Sequence, residues 1–179
     1  NHYPKGIGWQ PYTISKRITN WLIWSLNGNL LNDQIKKSIH TQTVHLYKNI
    51  EFDILGNHLI ANGKALVFSG AFFNTKNDKI LSKGMNLLCK EFRRQILNDG
   101  GHYERSTMYQ AMIIEDILDL INLSKTYKTI IPKDIIQEWI EIVVRMTKWL
   151  IKMSHDEQTI SFFFRKKKRS IRKNKANKR

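Results

Sequence analysis

Apolar residues recur at helical spacing along most of the chain. In ISKRITNWLIWSL, residues 14–26, they fall on one helical face. Similar patterns predict six helices, at about residues 14–26, 34–48, 54–73, 78–97, 107–123 and 132–153. No segment shows a convincing strand pattern, so the expected class is all-α. Short connections place neighbouring helices antiparallel, as helical hairpins in an open bundle or a curved toroid.

The third predicted helix is apolar nearly all round, which indicates a buried inner helix. It nevertheless contains Asn57, His58, Asn62 and Lys64. A buried polar group without a partner costs about 1–3 kcal/mol. These side chains therefore either bridge to neighbouring helices, which spacing alone favours, or open on a cleft.

A second polar cluster, GGHYERSTMYQ, occupies residues 100–110 between the fourth and fifth helices. Glu104, Arg105 and Tyr109 are reactive or binding residue types at a loop-to-helix junction. Ser106 or Thr107 is expected to cap the fifth helix. The alternative is an Arg–Glu structural pair beside a packed tyrosine, which the sequence alone modestly favours.

The composition indicates a folded domain and argues against disulfides, metal sites and membrane spans. The chain has 179 residues, of which 41% are apolar, enough for a core. The single cysteine, Cys89, excludes an internal disulfide and argues against a cysteine-ligated zinc site. His40 and His45 do not share a helical face well, and no phosphate-binding glycine loop occurs, so no metal or cofactor is expected. No run approaches the roughly 18–20 apolar residues of a membrane span.

Most of the excess positive charge lies in the last fifteen residues of the sequence. The formal net charge is +15, from 30 basic and 15 acidic residues, and ten of the basic residues lie in RKKKRSIRKNKANKR, residues 165–179. The other 164 residues therefore carry a net +5. We expect residues 165–179 to form a disordered tail that binds nucleic acid or a membrane surface only non-specifically.

Three strings together resemble the heparinase II/III family of polysaccharide lyases: IGWQPYTISKRITNWLIW, NIEFDILGNHLIANGKALVFSGAFF and LLCKEFRRQILNDGGHYERSTMYQAMIIEDILDLINL. The similarity extends over nearly all of residues 5–164. It implies an incomplete α/α toroid at residues 1–164, lacking the C-terminal β-sandwich of the family. It also implies a periplasmic or secreted location.

The resemblance implies β-elimination next to a uronate in an acidic polysaccharide such as heparin, heparan sulfate or a capsular chain. Asn57 and His58, in a G-N-H-L motif, would neutralise the uronate carboxylate. Tyr109 would transfer protons, with assistance from a cation or a second base, because a phenol is a weak acid. Arg105 would contact acidic groups of the substrate.

Further residues have supporting roles in this interpretation. Glu51 and His102 resemble supporting residues of the family site. Trp9 and Trp24 either form a sugar-stacking platform or belong to the core. The alternative function is a non-catalytic helical domain that binds acidic carbohydrate.

Two departures from the family pattern reduce the expected activity. The first is in the E-R-S-P-x-Y-H motif, where Thr107 in place of proline is expected to be tolerated, but Gln110 in place of histidine removes a ligand or base partner beside Tyr109. The second is the missing β-sandwich. The family β-sandwich supplies a further catalytic histidine, so this chain is expected to be inactive or impaired.

The chain begins with Asn1 and has no signal-peptide features, as in a fragment. The basic tail is hypothesised to be a frameshift product, and exposed apolar surface to promote self-association.

Overall fold

A computed structural model of the chain describes residues 4–73, 79–156 and 159–160. The all-helical class and the six helices are confirmed. The elements are a short 3-10 turn Ile7–Trp9, α1 Pro11–Leu26, α2 Asp33–Lys48, α3 Gly56–Phe73, α4 Lys79–Gln95, α5 Thr107–Thr126, α6 Lys133–Lys152, β1 Ser154–Asp156 and β2 Thr159–Ile160. The short antiparallel pair β1–β2 was not predicted. Strands of two or three residues are too short to leave an alternating pattern.

Local sequence signals set several helix ends. Helix α1 begins three residues earlier than predicted because Pro11 occupies its first turn, where a missing N–H costs nothing. The side chain of Asn32 accepts a hydrogen bond from the backbone of Ile35 at 2.9 Å. Ser106 caps α5 in the same way, through Tyr109 N at 3.3 Å, as one of the two expected caps.

The helices form three antiparallel hairpins in two layers. In the first layer, α3 lies between α1 and α5, and all three helices begin at the same end of the molecule. Helices α2, α4 and α6 form the second layer. Within it, Arg93 of α4 pairs with Glu138 of α6 at 2.9 Å, and Phe92 packs edge-on against Trp139.

Helices α3 and α4 approach each other closely at two glycines. A Cβ at Gly84 would lie 2.9 Å from the carbonyl oxygen of Gly63, and a Cβ at Gly63 would lie 2.9 Å from Leu88 Cγ. Ordinary side chains do not fit at such distances, so both positions require glycine. Together with the contacts to α1, α2 and α5, this contact buries most of α3, which the sequence predicted to be the inner helix.

The polar groups in the middle of α3 are satisfied by neighbouring helices. Asn62 Nδ2 donates to Ser15 Oγ of α1 at 3.0 Å. Lys64 Nζ donates to Asp116 Oδ1 of α5 at 2.8 Å, and it also contacts Asp119. Asn62 and Lys64 therefore bridge neighbouring helices, as the sequence favoured. Asn57 and His58 lie instead in the first turn of α3.

Part of the outer surface is apolar. Ile140, Val144 and Ile151 of α6 are exposed. Self-association through such surface stays a prediction. In the part of the chain that the structure describes, no helix is both long and apolar enough to cross a bilayer. The basic tail, residues 165–179, lies outside the described residues. The hypotheses about its disorder, its binding and its origin therefore stay predictions.

Candidate active site

The first turns of α1, α3 and α5 converge and bring aromatic and titratable side chains together. The rings of Tyr12 and His58 stack with centroids 4.3 Å apart and planes inclined by 25°. Burial raises the pKa of Tyr12, and the nearby acidic groups of Asp116 and Tyr109 raise it further. We call Tyr12, Glu51, His58 and Tyr109 the tyrosine–histidine cluster.

Glu51 fixes the orientation of His58. Its Oε2 lies 3.0 Å from His58 Nδ1. Because an ionised carboxylate only accepts hydrogen bonds, Nδ1 carries the proton and Nε2 is left for another partner. The backbone N–H of Glu51 donates to Asn62 Oδ1 at 3.1 Å, so the segment before α3 is held against α3 itself.

Two polar side chains at or just before the same helix starts have unused hydrogen-bonding capacity. Asn57 is half-buried and Arg105 is exposed, and within the described ranges neither side chain makes a hydrogen bond or an ion pair. Arg105 has a φ of 53°, a left-handed conformation that costs a non-glycine residue about 1–2 kcal/mol. The two loops meet where a Cβ on Gly56 would lie 2.7 Å from Glu104 Oε1.

His102 lies beneath this surface rather than on it. Its side chain is 1% exposed, and its Nε2 lies 3.0 Å from Gln95 Oε1. Gln95 Nε2 donates to the Gly56 carbonyl at 2.8 Å, so the amide oxygen of Gln95 is an acceptor for His102 Nε2–H. His102 therefore connects the loop of residues 100–106 to α4 and, through Gln95, to the start of α3.

Gln110, which stands where the family motif has histidine, also serves this scaffold. It is fully buried, and its Oε1 accepts from the backbone of His102 at 2.7 Å. Its Nε2 donates to the carbonyls of Gly100 at 2.7 Å and Met146 at 3.0 Å. Residue 110 thus holds the loop against α6 and does not face the tyrosine–histidine cluster.

His102 makes the stability of this scaffold depend on pH. Burial lowers its pKa, while the charge of Glu104 opposes this shift, and Nδ1 has no partner among the described residues. In the unfolded chain the pKa of histidine is about 6.5, so as the pH falls the unfolded state binds the proton first. The contribution of neutral, buried His102 to the free energy of unfolding is therefore complete above about pH 6.5. It is lost as the pH falls from about 6.5 to the lower pKa that His102 has in the folded state.

We therefore expect the free energy of unfolding, measured in urea, to decrease from about pH 7.5 to about pH 5.5. In His102→Gln this decrease should be smaller. The exposed His40 provides a matched control, and His40→Gln should retain the decrease of the parent chain. Equal pH dependence in His102→Gln and the parent would contradict the assignment.

The two tryptophans proposed as a stacking platform are not brought together. Trp9 precedes α1 and is half-buried, with its ring 5.2 Å from that of His45. Trp24 lies in the last turn of α1, about 20 Å along the helix from Pro11 by the rise per residue, and is 43% exposed. Its ring instead packs edge-on with that of Trp21 at 5.6 Å.

The sequence interpretation missed Tyr12. Tyr12, His58 and Tyr109 each occupy the first turn of a first-layer helix, at the second or third position. The signal was therefore present, but it became informative only once α1, α3 and α5 were known to begin at the same end. In the described part of the chain, no group of three or more His, Cys, Asp or Glu side chains is placed to hold a metal ion.

Residues 3–178 match the family model described as Heparinase II/III N-terminus. A heparin-sulfate lyase of Bacteroides stercoris is 23% identical over 122 residues, which are 67% of this chain and 18% of that protein.

Two solved structures share the fold over 82% of this chain and 24% of theirs. The heparan sulfate lyase of Pedobacter heparinus has a TM-score of 0.60 at 23% identity. A heparinase III gene product has a TM-score of 0.63 at 21% identity. At these identities the likeness shows the fold alone, and it identifies the two-layered hairpin array as part of an α/α toroid. The chain spans less than a quarter of the length of each of these proteins.

Proposed function

Because the chain belongs to the heparinase II/III family, we propose that it carries the toroid face of a lyase site for uronate-containing acidic polysaccharide. The supporting observation is the tyrosine–histidine cluster, with the unused polar groups of Asn57 and Arg105 at or just before the starts of α3 and α5. The names of the similar lyases favour a heparin- or heparan-sulfate-like substrate.

The proposed reaction is a β-elimination. A base removes the proton at C5 of the uronate, the electron pair forms a C4–C5 double bond, and the glycosidic oxygen leaves C4 with a proton from an acid. Negative charge builds up on the uronate carboxylate during proton removal. Hydrogen-bond donors that are already in place at this carboxylate lower the barrier.

The chain offers a side chain for each requirement. The Asn57 amide is free to donate to the carboxylate, and His58 lies next to it in the first turn of α3. Tyr109 is half-buried in the first turn of α5 and is assigned the proton transfer. Arg105 is exposed at the same end and supplies a cation for a carboxylate or sulfate.

Asn57→Ala tests the carboxylate assignment. We expect the elimination rate on heparan sulfate to fall about 10²-fold, because a preorganised donor to the developing charge is lost. The measurement is the appearance of unsaturated, ultraviolet-absorbing sugar ends. Asn122→Ala, at an exposed position of α5, is the matched control and should leave the rate unchanged. Equal rates in the two variants would contradict the role of Asn57.

Non-catalytic binding of acidic carbohydrate is the second candidate. It is favoured by the exposed pair Trp21 and Trp24, which line a cavity of ≈ 710 Å³ together with Arg17. Aromatic faces and a guanidinium group bind sugar acids without cleaving them. Binding of heparan sulfate with no unsaturated product, in the parent chain and in Asn57→Ala alike, would support this candidate over the lyase.

A further inference from the structure

A second surface suited to an acidic ligand lies in the other layer of helices. A groove of ≈ 680 Å³ runs between the end of α2 and one face of α4. Tyr47, Ile50 and Phe52 form one wall, and the opposite wall is formed by α4. Phe52 is 57% exposed, so one aromatic side chain at the groove is accessible to a ligand.

The charge of the groove has one sign. Lys79, Lys83 and Lys90 line it, and none of its lining side chains is acidic. Lys83 is held in place, because its Nζ donates to the Tyr47 carbonyl at 2.7 Å and lies 4.4 Å from the centre of the Tyr47 ring. Lys79 and Lys90 are exposed, and in the described ranges neither forms an ion pair.

The three lysines form a row rather than a point. They are four and seven residues apart on α4, so they share one face of the helix and span about 16 Å along it. A row of cations beside an accessible aromatic ring matches an extended chain that carries repeated anionic groups and rings. A single small anion would need only one end of this row.

We infer that this lysine groove is a second binding site for a segment of acidic polysaccharide, outside the tyrosine–histidine cluster. The inference rests on the proposed function for the class of ligand. The row of lysines pairs with carboxylate or sulfate groups, and Phe52 packs against a sugar ring. The two sites use different residues of the same short segment. Glu51 contacts His58, whereas its neighbours Ile50 and Phe52 line the groove.

Lysine footprinting of the full chain tests the site directly. The probe is a heparin-derived decasaccharide, with a neutral dextran oligosaccharide of equal length as control. Acylation of Lys79 and Lys90, followed by peptide mass spectrometry, should slow about five-fold with the decasaccharide, because paired amines react less. Lys128, in the connection between α5 and α6, and Lys133, the first residue of α6, are exposed, do not line the groove and should be unaffected.

Affinity provides a second measurement. The double substitution K79Q/K90Q should weaken decasaccharide binding about five-fold, since two charge pairs are lost. The control K128Q/K133Q removes the same charge and should change affinity less than two-fold. Both variants keep the basic tail and Lys83, so neither the tail nor the contact to Tyr47 affects the comparison.

Three results would overturn the inference. One is equal protection of all four lysines, which indicates diffuse attraction. Another is unprotected Lys79 and Lys90 with unchanged affinity in K79Q/K90Q. The third is stronger protection of these lysines by a DNA duplex than by the decasaccharide. Formation of unsaturated product without groove protection would refute the groove and leave the lyase function standing, whereas groove protection with an unchanged elimination rate in Tyr109→Phe would support the groove and refute the proposed lyase site.

Discussion

Replacing Tyr109 by phenylalanine should lower the elimination rate on heparan sulfate about 10³-fold, the usual size of a general acid–base contribution. The substitution removes only the phenol hydroxyl. The cap of α5 is retained, because Ser106 accepts from the backbone N–H of Tyr109 and not from its side chain. The ring still fills its half-buried position in the first turn of α5. The rate is measured from the unsaturated ends that β-elimination produces.

Tyr127→Phe is the matched control, since Tyr127 is also half-buried and lies just beyond the end of α5. It should leave the rate unchanged. Binding of the decasaccharide to Tyr109→Phe should stay within about two-fold of the parent, because proton transfer and ligand binding are separate contributions. Full activity in Tyr109→Phe would show that another group, with His58 the first to test, transfers the proton.

Gly100→Ala should destabilise the chain by about 3 kcal/mol, which combines backbone strain and overpacking. Gly100 has a φ of 89°, which an alanine adopts only with strain. A Cβ there would also lie 2.4 Å from the carbonyl oxygen of Arg145 in α6. Since the loop that begins here carries Arg105 and leads to Tyr109, the same substitution should reduce any elimination activity.

Gly28→Ala separates the two causes. Gly28 has a φ of 92°, but a Cβ at this position would have no atom within 4 Å. It should therefore cost only the strain, about 1–2 kcal/mol. Urea unfolding followed by circular dichroism measures both variants. Equal losses of stability would mean that the loop of residues 100–106 does not pack against α6 as closely as described.

The resemblance and the helix starts already pointed to much of the candidate site. Asn57 and His58 begin α3, and the Ser106 cap places Tyr109 in the first turn of α5. Such positions follow from local signals, because caps and prolines act within three or four residues of a helix end. The roles assigned to these side chains stay predictions.

The supporting residues were harder to interpret. In the sequence, His102 resembles a site residue and Gln110 a lost catalytic partner. Both are buried in the scaffold, since their hydrogen-bond partners come from α4, α6 and the loop between α4 and α5. No local sequence pattern indicates the hydrogen-bond partners of either residue.

The sequence by itself determined the all-helical class, the approximate limits of six helices and the burial of α3, because periodicity and caps are local. Only the tertiary structure decided which polar groups are used internally. Asn62 meets Ser15, 47 residues away, and Lys64 meets Asp116, 52 residues away. It likewise brought Tyr12 to His58 and aligned Tyr47 with the lysines of α4. Such pairings depend on how helices cross, and α3 and α4 cross closely only because Gly63 and Gly84 lack side chains.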